Sequence, residues 1–127
     1  MCRMIDPGPE ATERRTQLLR GVLDMSMLAL LDQAPAHGYE LVRRLNAAGF
    51  HTVGYGTVYP LLTRMRRLGL VTNELHASPT GPDRKVYGLT EAGHQALAGW
   101  TEQWTQFVEM INTTLAPATP PSSSSGG

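Results

Sequence analysis

The chain has 127 residues, 41% of them hydrophobic and 17% charged, a composition ordinary for one globular domain around one core. Its single cysteine, Cys2, excludes an internal disulfide and fits a reducing compartment. The formal net charge is zero, which argues at first against a polyanionic partner, but the charges are unevenly spread. Residues 35–87 hold seven basic side chains against three acidic ones, whereas residues 88–127 hold three acids and no Lys or Arg. A basic middle followed by an acidic end is an asymmetry that can serve one polyanion-facing surface.

Met1–Glu10 carry Asp6, Pro7, Pro9 and Glu10, which interrupt any apolar signal core. Residues 1–17 are therefore expected to be a flexible leader. From Leu18 the chain turns apolar through Leu19, Val22, Leu23, Met27, Leu28, Leu30 and Leu31. This spacing predicts a largely buried helix that stops before Pro35, with Gly21 weakening its first turn. The richest apolar run, residues 22–31, is broken by Asp24 and Ser26 and is far short of the roughly 20 residues that span a bilayer. No membrane association and a cytoplasmic location are expected.

His37-Gly38-Tyr39 opens a second helix with Leu41, Val42 and Leu45 as its stripe and Gly49 at its C-terminal cap. After a short connection, a third helix is predicted from about Tyr55 to Leu68, with Val58, Leu61, Leu62, Met65 and Leu68 on its inner side and Gly69 ending it. Pro60 must lie near its start or kink it. Residues 70–77 have strand character, 78–83 (SPTGPD) form a dense turn cluster, and 84–89 return as the second strand of a hairpin. Thr90 can cap a last helix that runs to about Leu115, with Glu91 at its positive end. Residues 116–127 (APATPPSSSSGG) are expected to be a disordered tail.

The fold class expected is mainly α with a small β-hairpin wing. It comprises a winged helix-turn-helix over 18–89 and a C-terminal dimerisation helix over 90–115. Four blocks then carry a family resemblance: Leu19-Arg20-Gly21; His37-Gly38-Tyr39-Glu40-Leu41; Gly56-Thr57-Val58-Tyr59-Pro60-Leu61-Leu62; and Tyr87-Gly88-Leu89-Thr90-Glu91-Ala92-Gly93. In this order and spacing, over about residues 18–112, they resemble the PadR family of transcriptional regulators, in its compact branch with a single C-terminal helix. The resemblance implies a dimeric repressor bound to a double-stranded DNA operator. The tip residues Pro79-Thr80-Gly81-Pro82-Asp83 depart from the more basic, glycine-rich wing of the family.

With the apolar side of the third helix turned inward, its other side presents Gly56, Pro60, Thr63, Arg64 and Arg67, with Thr57 and Tyr59 at the edges. Small residues near the helix start allow close approach to base edges. Thr63 and Arg64 are placed for bases or phosphates and Arg67 for phosphate, which positions without reading sequence. Tyr59 either faces DNA or packs under the hairpin. Tyr39 either donates its hydroxyl to phosphate or braces the third helix. Arg84 and Lys85, on the wing shoulder, are expected at the DNA backbone, and Arg43 and Arg44 are read as solubility charges. A dimer neutralising about eight phosphates would give a log–log salt slope near −7.

Leu97, Trp100, Trp104, Phe107 and Ile111 recur at three- and four-residue spacing, supplemented by Val108 and Leu115. The seam is heptad-like but under three heptads long. Each Trp has roughly 150–250 Å² to bury, so leaving both exposed forgoes several kcal/mol at about 25 cal/mol per Å². A homodimer is the simplest cover. The resemblance also implies an effector slot at Trp104, where Trp100, Phe107 and Met110 could help receive a planar aromatic compound that weakens DNA binding.

His37, His51, His76, His94 and Cys2 show no metal-ligand spacing. No phosphate loop or nucleophile elbow is present, so neither a cofactor nor an enzymatic activity is expected. The rival reading is a winged-helix protein-interaction module that dimerises without binding DNA.

Overall fold

The computed structural model describes residues 8–51 and 53–117. In chain order the elements are α1 (Gly8–Arg20), α2 (Leu23–Gln33), β1 (Ala36–His37), α3 (Gly38–Ala47), α4 (Tyr55–Arg67), β2 (Val71–Ser78), β3 (Gly81–Leu89) and α5 (Glu91–Leu115). The three strands form one antiparallel sheet in the order β1-β3-β2. Two compact units are distinguished, one ending at Leu97 and the other beginning at Ala98. Among the described residues no helix is long and apolar enough to cross a membrane.

The core of the first unit is supplied by α2, α3 and α4 and closed by the sheet. Met27, Leu28 and Leu31 of α2, Leu41 and Leu45 of α3, and Val58, Leu62 and Met65 of α4 are buried, together with Val71 and Tyr87 of the sheet. The buried residues of each helix recur at intervals of three and four, the spacing that keeps one helical face turned to the core. Arg44 reaches back across this core's edge. Its Nη1 donates to the Ala34 carbonyl at 2.7 Å, and its Nε donates to Glu40 Oε2 at 3.2 Å. It thus ties the end of α2 to α3, a role that replaces the solubility charge expected of it.

Two glycines shape the helix-turn-helix and the wing. Gly49 and Gly69 have φ of 117° and 81°, left-handed conformations that only glycine adopts without steric cost. After α3, Phe50 N–H donates to the Leu45 carbonyl at 2.9 Å and Gly49 N–H to Asn46 at 3.1 Å. After α4, Leu70 N–H donates to Met65 at 2.9 Å and Gly69 N–H to Arg66 at 3.0 Å. Both helices therefore end in the same paired-bond cap, which satisfies their last carbonyls and turns the chain sharply.

Several expectations need correction. The chain is already helical from Gly8, within the segment expected to be a flexible leader, and the single helix expected from Leu18 to Pro35 is two helices separated at Gly21–Val22. Leu18 ends up 63% exposed rather than buried. Leu68, placed on the inner side of the third predicted helix, is 57% exposed, because it is the C-cap residue of α4, beyond the last packed turn. The expected 78–83 turn is shorter, since β3 already begins at Gly81 and pairs with Ser78. The ladder is irregular between His76 and Ser78, and Pro82 and Asp83 fall opposite that bulge, where no regular ladder amide is required. The tail expected to be disordered lies, from residue 118 on, outside the described residues.

The start of α5 is fixed to the base of the wing. Thr90 caps it: its Oγ1 accepts from Gly93 N–H at 3.0 Å and donates to the Gly69 carbonyl at 2.6 Å, while its backbone N–H donates to Leu70 at 3.1 Å. Gly93 is buried there, and a Cβ on it would lie 2.1 Å from the Leu70 carbonyl oxygen. His94 Nδ1 lies 3.1 Å from Asp32 Oδ1, adding a link to α2.

Candidate nucleic-acid interface

The helix α4 begins at Gly54 with no side-chain cap and no acidic residue in its first turn. Its positive end is thus uncompensated by its own side chains. Pro60, inside the helix, removes the amide that would have bonded the Gly56 carbonyl. Because Val58, Leu62 and Met65 are buried, Gly56, Thr57, Tyr59, Pro60, Thr63, Arg64, Arg66 and Arg67 are all left exposed. Among the described residues no carboxylate pairs with Arg64, Arg66 or Arg67. The exposed side of α4 is therefore small and neutral at its start and cationic at its end. Arg66 was not singled out from the sequence. It flanks a groove with Thr63, Arg67, Thr72 and Asn73, and the arginine triplet around Met65 was the signal for it.

Three tyrosines brace the start of α4. The rings of Tyr39 and Tyr55 are stacked, with centroids 4.4 Å apart and planes at 13°, and Tyr59 lies 5.6 Å from Tyr55 at a 33° tilt. The stack requires Gly38, where a Cβ would come 2.5 Å from the Tyr55 ring. Tyr39 therefore does brace α4, and it remains 63% exposed. Tyr59 is 42% exposed and, with Tyr87, lines the cleft beside the wing. Burial, followed by the neighbouring tyrosines, pushes the phenols of Tyr55 and Tyr87 up, so both stay neutral hydroxyls.

Between this tyrosine group and the wing lies an open cleft of about 900 Å³, bordered by Arg43, Arg84, Lys85 and Asp83. Arg84 and Lys85 are exposed and lack carboxylate partners among the described residues. Arg43 is engaged by Glu40. Burial raises the Glu40 carboxyl, but the guanidiniums of Arg43 and Arg44 outweigh it and hold the group below its ordinary value. His37, expected only to open the second helix, also borders this cleft. Its Nδ1 accepts from Glu40 N–H at 3.2 Å and caps α3, while its Nε2 lies 3.1 Å from Arg84 Nη1. Histidine is not a favoured cap residue, so composition gave no signal for it. The His37-to-Glu40 spacing of a capping box was the only hint.

Residues 27–99 match the Transcriptional regulator PadR-like family. The chain belongs to the PadR-like family. The fold of a PadR-like transcriptional regulator from Bacillus cereus superimposes with a TM-score of 0.73 at 38% identity, over 80% of this chain and 98% of that one. A PadR family regulator from Eggerthella lenta gives 0.76 at 31% identity, over 82% and 90%. The transcriptional regulator YqjI of Escherichia coli is 32% identical over 93 residues, or 72% of this chain. The PadR-like chain spans 41% of that relative's length. Its family is one of transcription regulators, not of enzymes.

From Trp100 on, the apolar seam of this PadR-like chain lies in the second unit, and Leu97 is the last residue of the first. α5 runs unbroken for 25 residues. Trp104, Phe107, Met110 and Ile111 are 43%, 52%, 53% and 37% exposed, and Leu97 and Trp100 are half-buried. The residues picked for an interface or effector slot thus share a helix, and most of them have apolar surface left uncovered.

Proposed function

We propose that this PadR-like protein is a dimeric repressor that inserts α4 into the major groove of duplex DNA. In this reading Gly56, Thr57 and Pro60 approach the base edges, and Thr63 and Arg64 read bases or bind phosphates. Arg67, joined by Arg66, Tyr39, Tyr59, Arg84 and Lys85, holds the backbone. The observation that carries the reading is the exposed side of α4, where Arg64, Arg66 and Arg67 have no carboxylate partner among the described residues. A surface that only kept the protein soluble would have no need to concentrate unpaired cations opposite a helix start free of acids.

Dimerisation through α5 gives two such helices, as a two-fold operator requires. The uncovered face supports it: burying the exposed part of Trp104 alone is worth about 2 kcal/mol. In the same reading Trp104, Trp100, Phe107 and Met110 receive a planar aromatic effector that weakens DNA binding, and titration of aromatic compounds followed by Trp fluorescence tests that part separately.

The decisive experiment is a mobility shift with the DNA upstream of the protein's own gene. Wild type should bind with a log–log salt slope near −7. Arg64→Ala with Arg67→Ala should lose binding while circular dichroism and sedimentation stay unchanged. Undiminished binding by that variant would overturn the α4 assignment, and a wild type that binds no duplex would favour the protein-interaction module.

A further inference from the structure

The geometry around His37 points to a phosphate-oxygen site shared by α3 and the wing. The two nitrogens of the ring each face a donor. Nδ1 lies 3.2 Å from Glu40 N–H and Nε2 lies 3.1 Å from Arg84 Nη1. A neutral imidazole accepts at one nitrogen only and carries its proton on the other, and a guanidinium has no acceptor. The amide of Glu40 sits in the first turn of α3, where no helical carbonyl can receive it, so the cap fixes Nδ1 as the acceptor. Nε2 then carries the proton. With that tautomer, Nε2–H and the Arg84 guanidinium are two exposed donors brought together.

We infer that an anionic oxygen, of the phosphate class, accepts from His37 Nε2–H and Arg84 together. The surroundings agree. His37 and Arg84 both border the cleft between the tyrosine group and the wing, and Lys85 borders it too. Of the other charged groups, Arg43 and Arg44 on α3 are engaged with Glu40, and Asp83, the chain neighbour of Arg84, lines the same cleft but forms no ion pair with Arg84. The facing residues Tyr39 and Tyr55 are phenols and supply no competing charge. Burial, then the charge of Arg84, lowers the His37 pKa, which keeps the ring in the neutral form that the cap requires. A phosphate held here would lie between the start of α3 and the wing. His37 would thereby act as a neutral donor to the backbone, fixing the wing relative to the helices. The inference rests on the DNA-binding reading only for the source of the phosphate.

Side-chain nitrogen NMR of the full chain tests it. The free protein should show His37 as the Nε2–H tautomer. Addition of a short duplex at low salt should shift Nε2 and leave Nδ1 an acceptor, and inorganic phosphate provides the second arm. A shift with both ligands marks a general phosphate site; a shift with duplex alone marks a backbone site; either supports the inference. An Nδ1–H tautomer in the free protein, or no shift with either ligand, overturns it. His37→Ser keeps a cap oxygen but removes the ring donor. It should weaken duplex binding about tenfold with an unchanged salt slope, whereas Arg84→Ala should also make the slope shallower. His37→Asp, which places a carboxylate at the site, should bind more weakly still. Wild-type affinity in both His37 variants, with Arg64→Ala/Arg67→Ala inactive, would refute this site and leave the α4 reading standing.

Discussion

Replacing Gly93 by alanine should cost the protein far more than any helix-propensity argument allows. Gly93 is buried in the first turns of α5 against the backbone of Leu70. An added Cβ would lie 2.1 Å from the Leu70 carbonyl oxygen, 3.1 Å from its carbon and 3.2 Å from Leu89 Cγ, where ordinary contact begins near 3.4 Å. The nearest obstacle is backbone, so no side-chain rotation relieves it, and α5 must move by more than 1 Å. Overpacking of this kind costs about 1–3 kcal/mol. The movement also strains the bonds from Thr90 N–H to Leu70 and from Thr90 Oγ1 to Gly69, at 3.1 and 2.6 Å, worth about 1 kcal/mol each. Against this stands a gain of about 1 kcal/mol from alanine in a helix.

The net loss should be near 3 kcal/mol, and the melting temperature should fall by more than about 10 °C. Gly99→Ala is the internal control. It lies in the same helix with nothing within 4 Å of its Cβ position, so only the propensity term remains and stability should rise by up to about 1 kcal/mol. Urea unfolding and thermal melts of the two variants measure the difference directly. If Gly93→Ala proves as stable as Gly99→Ala, the close packing of α5 on the wing base is wrong.

Other consequences can be checked alongside. Arg44→Ala removes the 2.7 Å bond to Ala34 and the pairing with Glu40, and unfolding should show a loss of about 2 kcal/mol with DNA contacts untouched. The folded-state pKa of His37 lies below its ordinary 6.5, so between these two values the unfolded chain binds more protons. The stability conferred by its neutral ring is therefore complete above about pH 6.5 and lost as pH falls through the folded value. His37→Ser should lack that part of the decline in chemical denaturation across the range. If α5 forms the proposed dimer, Phe107→Glu with Ile111→Glu should give a monomer in sedimentation and weaken the proposed operator binding, without lowering the helical signal of the first unit.

The sequence was most legible where a local rule and a tertiary demand coincide. Gly49 and Gly69 read as helix stops, and both adopt the left-handed conformation that such stops need. Val58, Leu62 and Met65 mark the buried side of α4, and Thr90 both reads and acts as a cap. Legibility failed where only one of the two was present. α1 has Glu, Arg, Gln and Leu, which favour helix, but no apolar stripe, so periodicity was silent over residues 8–17. β1 is two residues long and exists because Ala36 and His37 pair with Tyr87 and Val86, a partnership with no local pattern. Among the site residues, the outward side of α4 followed from its inward side by geometry. His37 and Arg84 meet across 47 residues of sequence, and no spacing rule spans that distance.

The zero net charge, which at first favoured a partner other than nucleic acid, is resolved by asking which cations are already satisfied. Arg43 and Arg44 are engaged by Glu40, and Arg44 also by the Ala34 carbonyl. Arg64, Arg66, Arg67, Arg84 and Lys85 have no carboxylate partner among the described residues, and all five are exposed. Of the acids that balance them in the formal count, Asp24 and Asp32 are on α2 and Glu91, Glu102 and Glu109 on α5, while Glu74 and Asp83 share the wing strands with Arg84 and Lys85. At physiological ionic strength charges separated by more than about 8 Å are largely screened from one another. The exposed side of α4, with three arginines and no acid in the helix, is therefore locally basic whatever the molecular total.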